Sequence, residues 1–355
     1  MAQGPSAART DSPATGEASD LLLKIENLAV AFDKGGGKLL PVIDGANLEL
    51  KNNQAVGVVG ESGSGKTMLC RSIIGTLRRR GARVTAGRIL FEGNDLASAP
   101  ESVWRRVRGR QIGYVPQSSL AGLNPVLTIK TQLVEAITVV QPLRGDEAVR
   151  EALRLLDMVR IPRAKAVLNE RSTHLSGGMR QRVMIAAALA QKPKLLLADE
   201  PTTALDVTVQ HEILQLIHRL RADLGMSLIL VSHDLAVIEE VCDTVMVMYA
   251  GATFESGPVD RVTRSPRHPY SRALHVSRVD TAEPGHEIET IPGEPPTVGR
   301  WPTGCRFWPR CPVGDATCRE GGQPSLRRLG VQATACLYPE RMGTALTEAE
   351  RLGTG

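Results

Sequence analysis

The chain has 355 residues, 42 % of them hydrophobic but only 3 % aromatic, and a formal net charge of +5. That length admits one large domain with an appendage, or two domains, and the core has to be built from Val, Leu, Ile and Ala rather than from rings. No apolar run reaches the ~18 residues of a membrane span, and residues 1–20, rich in Ala, Ser, Thr, Gly and Pro, lack the apolar stretch of a secretory leader, so a disordered lead-in and a cytosolic protein are expected. Arginines cluster at Arg78-Arg79-Arg80 and across Arg105, Arg106, Arg108 and Arg110. They read either as an anion-binding surface or as a solvated face. No aromatic side chains interleave with them as single-strand binding requires, and no nucleic-acid partner is expected.

In chain order, Leu23 to Phe32 alternates loosely and predicts a strand; the Gly35-Gly36-Gly37 turn leads into a second strand near Val42 to Leu50. Ala55-Val56-Gly57-Val58-Val59 is an apolar run, followed by a glycine-rich loop and a helix-like stretch from Met68 to Leu77. Gly87 to Glu92 and Gln111 to Pro116 predict strands, and from Gln117 to Arg171 the pattern turns helical, with a clear period at Ala148, Val149, Ala152, Leu155 and Leu156. Leu195 to Ala198 predicts a buried strand, Val207 to Leu224 a helix, Ser227 to Val231 a strand, Asp234 to Val241 a helix and Thr244 to Met248 a strand. Such alternation implies an α/β fold with a mainly parallel sheet, here preceded by an antiparallel β-layer. From about Arg267 the composition shifts to Pro-rich segments and a cysteine-rich end, which predicts a second, small unit.

The chemistry is carried first by Gly60-Glu61-Ser62-Gly63-Ser64-Gly65-Lys66-Thr67, which sits between a predicted strand and a predicted helix. In that setting the G-x-x-x-x-G-K-[ST] pattern is a phosphate cradle: the glycines bend the backbone so that N–H groups point inward. The following helix adds its positive end, Lys66 meets the β/γ-phosphates, and the Thr67 hydroxyl can ligate Mg²⁺. Asp199 ends an apolar strand, so its carboxylate emerges at the carboxyl edge of the sheet, where it can hold Mg²⁺. Glu200 follows directly as a general base or water-orienting group. Two acids at the end of a buried strand are costly unless they meet a cation. Phe32 is the one aromatic placed to stack on an adenine ring, and it can equally be a core residue.

Leu175-Ser176-Gly177-Gly178-Met179-Arg180-Gln181-Arg182 opens a helix, and Ser176 with the N–H groups after it forms an anion site. Placed 23 residues before Asp199 and downstream of the glycine loop, it resembles the signature of the ATP-binding cassette (ABC) ATPases. The resemblance gives roles to further residues: Gln117 in Tyr-Val-Pro-Gln as the glutamine that touches Mg²⁺ and senses a transmembrane partner, Asp206 in the loop that reaches across a dimer, and His233 in Val-Ser-His-Asp as the contact to the γ-phosphate. It also implies that Ser176, Gly177 and Gly178 of one subunit complete the ATP site of another. With one glycine loop per chain, the protein is expected to be half of an ATP-sandwich dimer. Gly122-Leu123-Asn124-Pro125, the run from Glu200 to Gln210, His268-Pro269-Tyr270-Ser271 and Ile291-Pro292-Gly293-Glu294-Pro295-Pro296 together look like the dipeptide/oligopeptide importer ATPases.

That family implies a nucleotide-binding domain over 21–266 with a helical subdomain at about 118–180, a Cys-rich C-terminal domain over 267–340 and a polar tail over 341–355. It further implies ATP and Mg²⁺ as ligands, a second cassette subunit that is commonly a paralogue, two transmembrane permeases, an extracytoplasmic solute-binding protein, and a place at the cytoplasmic face of the cell membrane. Nickel, glutathione or opines are alternative cargoes carried by close relatives. A soluble cassette ATPase of translation or repair is a further alternative, disfavoured by the single cassette and by the peptide-type end of the chain.

Of six cysteines, Cys70 and Cys242 sit alone in apolar surroundings and read as core thiols. Cys305, Cys311, Cys318 and Cys336 crowd into 32 residues with gaps of five, six and seventeen. Stable disulfides are not expected in a reducing compartment, and four neighbouring thiolates call for a cation. The spacings match neither paired Cys-x-x-Cys zinc ligands nor a ferredoxin run, which leaves zinc and iron–sulfur open. The resemblance to peptide-importer ATPases favours a [4Fe–4S] cluster over Zn²⁺.

Overall fold

The computed structural model describes residues 20–118, 122–278 and 290–341. The expected lead-in up to residue 19 and the expected tail beyond residue 341 lie outside the described residues.

Two long strands open the fold, β1 (Leu21–Asp33) and β2 (Leu39–Lys51), paired antiparallel across the glycine turn. The opposite edge of β1 takes β4 (Ala82–Phe91), and β5 (Asn94–Asp95) completes a sheet of order β2-β1-β4-β5. The sequence marks only the second half of β4. Its first half is largely exposed, so no apolar period announces it.

The second sheet is built on β3 (Ala55–Val59), β6 (Ile112–Val115), β7 (Leu195–Asp199), β8 (Ser227–Ser232) and β9 (Thr244–Tyr249), all parallel in the order β9-β3-β8-β7-β6. Every residue of β3, β7 and β8 is buried, as strands covered by helices on both faces require. Helix α1 (Lys66–Ile73) leaves the glycine loop directly and stops short of the predicted Leu77. The reason is Gly75, held at φ +67° against the Trp104 ring, where a Cβ would lie 2.6 Å from the indole. Helix α2 (Glu101–Arg110) carries the second arginine cluster and buries little beyond Trp104 and Val107, so its period is hidden among charges. Arg79 and Arg108 both pair with Glu101, which is the solvated-face reading of these clusters.

Helices α3 (Ile129–Val140), α4 (Gly145–Met158), α5 (Ala164–Val167) and α6 (Gly177–Leu189) pack around Leu133, Ile137, Ala152, Leu155, Leu156 and Val183. Helix α7 (Val207–Leu224) has the predicted bounds because both ends are written in the chain: Asp206 caps its first turn and Gly225, at φ +60°, closes its last. Helix α8 (Leu235–Val241) joins β8 to β9.

The cysteine-rich end does not stand apart as a separate body. After β10 (Ala252–Pro258), α9 (Val259–Arg264) and α10 (Pro269–Val276), the chain returns through the short α11 (Ala316–Glu320) to a hairpin of β11 (Arg327–Leu329) and β12 (Gln332–Thr334). Strand β12 pairs with β10, which itself pairs with β9, so the hairpin extends the main sheet. Phe307, 1 % exposed, enters the same core as Tyr249 and Tyr270, its ring 5.4 Å and 5.3 Å from theirs. Among the described residues no helix is long and apolar enough to cross a membrane.

Candidate functional site

The glycine loop follows β3, and its shape depends on two positions. Gly65 holds φ +104°, which side-chain-bearing residues rarely adopt, and at Gly60 a Cβ would fall 2.1 Å from the Met248 carbonyl oxygen. Between them the Ser64 hydroxyl is buried without a hydrogen-bond partner among the described residues. Lys66, the first residue of α1, has a side chain only 5 % exposed. Its ammonium donates back into the loop, to Gly60 O at 2.6 Å and Glu61 O at 3.1 Å. Burial lowers its pKa, while Glu200, Asp199 and Glu61 work in the opposite direction. A cradle with an orphan hydroxyl and a buried cation whose hydrogen bonds go to the loop's own carbonyls fits an anionic ligand.

Asp199 is completely buried at the end of β7. One carboxylate oxygen accepts from Thr67 Oγ1 at 3.2 Å and the other from Tyr114 OH at 3.0 Å. Burial pushes the carboxyl pKa up and these two donors pull it down. The Thr67–Asp199 pairing is the donor set that Mg²⁺ needs. Tyr114 escaped the sequence reading, although it lies on β6 beside β7 and three residues before Gln117. Burial and the Asp199 charge push its phenol pKa up, so it acts as a neutral donor.

Glu200 occupies φ +47°, an uncommon conformation for a non-glycine residue that turns the chain sharply out of the strand. Its carboxylate accepts from Gln117 Nε2 at 2.7 Å and Thr203 Oγ1 at 3.0 Å, with Lys66 Nζ and His233 Nδ1 each 3.9 Å away. Lys66, Thr67, Gln117, Asp199, Glu200 and His233, spread over 168 positions of sequence, thus meet at the carboxyl edge of β7, β8 and β3. His233 stays 63 % exposed on the open side of this group.

The remaining residues are placed elsewhere. Ser176 accepts from Met179 N at 3.3 Å and caps α6. Gly177 and Gly178 let that helix end press on Leu205 and Val209, where a Cβ would come within 3.0 Å and 2.6 Å of side-chain carbons. Asp206 accepts from Val209 N at 3.0 Å, and Val207 beside it is 83 % exposed. Among the described residues no hydrogen bond or ion pair joins Ser176 or Asp206 to the glycine loop of the same chain. Ser62 and Gly63 are exposed at the rim of the loop. Phe32 is half-buried and packs against the core of the antiparallel sheet.

Cys305, Cys311, Cys318 and Cys336 line one cavity of 20 Å³, closed by His268 and Trp308, and all are free thiols. Burial pushes Cys305 up to about 11 and Cys336 up to about 12, and Cys311 upward as well; neighbouring thiols add to each. Among the described residues, however, no group of three His, Cys, Asp or Glu is arranged to hold a metal ion, so neither a [4Fe–4S] cluster nor Zn²⁺ has a formed ligand set. Cys70 and Cys242 are pushed strongly upward by burial, as inert core thiols.

Comparison with known proteins places this geometry. Residues 43–203 match the ABC transporter family, and residues 254–318 match the oligopeptide/dipeptide transporter C-terminal region. The chain is 40 % identical over 308 residues to the oligopeptide transport ATP-binding protein OppD of Escherichia coli, covering 86 % of this chain and 90 % of that one. It is 40 % identical over 321 residues to the oligopeptide transport ATP-binding protein AppD of Bacillus subtilis, covering 90 % and 97 %. The solved dimeric, post-hydrolysis structure of the ATP-binding cassette MJ0796, bound to ADP and Pi, superposes with a TM-score of 0.59 at 28 % identity, over 67 % of this chain and 98 % of that chain. A buried lysine in a glycine cradle, opposite two strand-end acids and followed by a C-terminal region of this kind, belongs to one group: the chain is a member of the ABC transporter family, among the ATP-binding subunits of oligopeptide/dipeptide transporters.

Proposed function

We propose that the chain hydrolyses ATP to power import of di- and oligopeptides, as half of an ATP-sandwich dimer docked on two transmembrane permeases at the cytoplasmic face of the membrane. The observation that carries this reading is the convergence of Lys66, Thr67, Gln117, Asp199, Glu200 and His233 at one edge of the parallel sheet. Gly60, Ser62, Gly63, Ser64 and Gly65 wrap the phosphates with backbone N–H groups, and Lys66 leaves its carbonyl partners to face the β/γ oxygens. Thr67 and Asp199 would hold Mg²⁺, which would supply neutralisation of charge on the phosphates. Glu200 orients the attacking water and draws off its proton. Gln117, now on Glu200, is the residue through which a permease would sense the site and could also serve as a ligand to Mg²⁺, and His233 would contact the γ-phosphate. Phe32 offers its open face to the adenine. Ser176, Gly177, Gly178 and Asp206, idle toward their own site, serve the site of a second cassette subunit, a paralogue or a copy.

A cavity of 880 Å³ lined by Leu123, Asn124, Pro125, Gln132 and Val139, the last 72 % exposed, suits the permease's cytoplasmic helices. Purification from native membranes in mild detergent is expected to bring down two multi-spanning permeases, a second cassette subunit and a solute-binding protein. Recovery with ribosomes or DNA, or alone in the soluble fraction, removes the transport reading and leaves the ATPase.

For the thiol quartet we infer a [4Fe–4S] ligand set, with Zn²⁺ as the alternative; support comes from the one cavity that all four cysteines line and from the matched C-terminal region, which contains three of them. Such a centre supplies cross-linking of a loop-rich segment. Anaerobically purified protein is expected to be brown and Cys311→Ser to lose the colour. A colourless wild type carrying stoichiometric zinc excludes the cluster.

A further inference from the structure

Glu61 is the acidic residue of the glycine loop, and the C-terminal segment holds both its side chain and its backbone. Its carboxylate receives both arms of Arg310, at 2.7 Å and 3.0 Å, and its backbone N–H donates to Tyr270 OH at 2.8 Å. Arg310 has a side chain only 4 % exposed. Its remaining donors are spent on Pro292 O at 2.8 Å, Tyr249 OH at 3.2 Å and Ile291 O at 3.4 Å, so the fork is fixed before it meets Glu61. The far shoulder of the loop is held in the same manner. Arg306 stacks on Trp301 at 4.0 Å, pairs with Asp44 and donates to Ala250 O at 2.7 Å, and the next residue, Gly251, donates its N–H to Ser64 O at 2.9 Å.

We propose that Arg310 is a positioning residue for nucleotide binding: by engaging the Glu61 carboxylate bidentately it keeps that charge off Lys66 and off the incoming phosphates. The physical case is one of competition. The Glu61 backbone O already lies 3.1 Å from Lys66 Nζ, so the residue is anchored beside that ammonium and the carboxylate charge is close to it. An unpaired carboxylate there both repels a polyphosphate and occupies the cation meant for it. A buried guanidinium supplied by a segment 249 residues away removes the conflict without placing a second cation in the cradle. The same turn runs from Cys305-Arg306 to Arg310-Cys311, so the thiol pocket and the glycine loop are braced by adjacent residues.

This inference rests on the ATP-binding reading and is tested by MgATP titration of the full-length wild type, Arg310→Lys, Arg310→Ala and the double variant Arg310→Ala/Glu61→Gln, with thermal melts alongside. Arg310→Ala is expected to weaken MgATP binding on the order of tenfold, by exposing an unpaired like charge. The double variant is expected to recover to within about threefold of wild type, since the offending charge is gone, and Arg310→Lys to lie between, keeping charge but not the fork. Arg310→Ala binding as tightly as wild type, or a double variant as weak as the single one, overturns the proposal even where the melts fall. A wild type that binds no MgATP overturns the ATPase reading itself.

Discussion

Glu200→Gln is expected to bind MgATP within about threefold of wild type and to hydrolyse it 10²–10⁴ times more slowly, roughly the contribution of a positioned general base. The side chains are isosteric, and the amide oxygen can still accept from Thr203 Oγ1, now 3.0 Å away. What the amide cannot do is take a proton from water. The backbone at φ +47° fixes where the group points, so the loss is chemical rather than positional. With hydrolysis blocked and binding intact, the closed sandwich accumulates, and size exclusion in MgATP is expected to shift the variant from monomer to dimer. Single-turnover hydrolysis of radiolabelled ATP measures the rate directly. Near-normal turnover removes Glu200 from its role; a lost affinity for MgATP instead reassigns it to nucleotide binding.

The parts of this site that were legible in the sequence are those in which the backbone itself is the device. The glycine loop, the apolar strand running into Asp199-Glu200 and the capped helix entry at Ser176 announce themselves through residue types that only a few conformations tolerate. Strands β3, β7 and β8 were equally plain, because burial on both faces leaves uninterrupted apolar runs. What escaped were residues outside the recognised motifs whose role is set by a partner distant in sequence. Tyr114 finds Asp199 across 85 positions and Arg310 finds Glu61 across 249, and neither residue carries a local signal of its role. The cysteine-rich end looked like a separate unit because Pro, Cys and short strands lack a period. Its attachment runs instead through the β10–β12 pairing and through single buried side chains, Phe307, Arg306 and Arg310. The metal is the opposite case: the crowding of four cysteines in sequence does correspond to one cavity lined by all four, without a formed ligand set among the described residues.

Lys66→Ala is expected to abolish measurable MgATP binding, a loss of at least ~10²-fold, comparable to breaking a buried charge pair at about 3–5 kcal/mol. The side chain is 5 % exposed, and its ammonium sits among Asp199, Glu200 and Glu61. Cutting it to a methyl group leaves Asp199 and Glu200 facing the triphosphate without the lysine's charge between them. Lys66→Arg is expected to fail nearly as badly, because a planar fork does not fit where a compact ammonium lies 2.6 Å from Gly60 O. Stability moves in the other direction, and that separates a binding defect from misfolding. Burial lowers the Lys66 pKa below the 10.5 of the unfolded chain, so between the two values the unfolded state binds more protons. Wild-type stability therefore gains from this group as pH rises through that alkaline window, and below it the folded chain carries the full cost of a buried ammonium. Lys66→Ala carries no such cost. It is expected to melt at or above the wild-type temperature near neutral pH, without ligand, with the difference narrowing as the pH approaches 10.5. Nucleotide titration and melts across that range check both halves. A variant that binds MgATP normally takes Lys66 out of the phosphate site; one that melts well below wild type shows that the ammonium's contacts to Gly60 O and Glu61 O outweigh its desolvation.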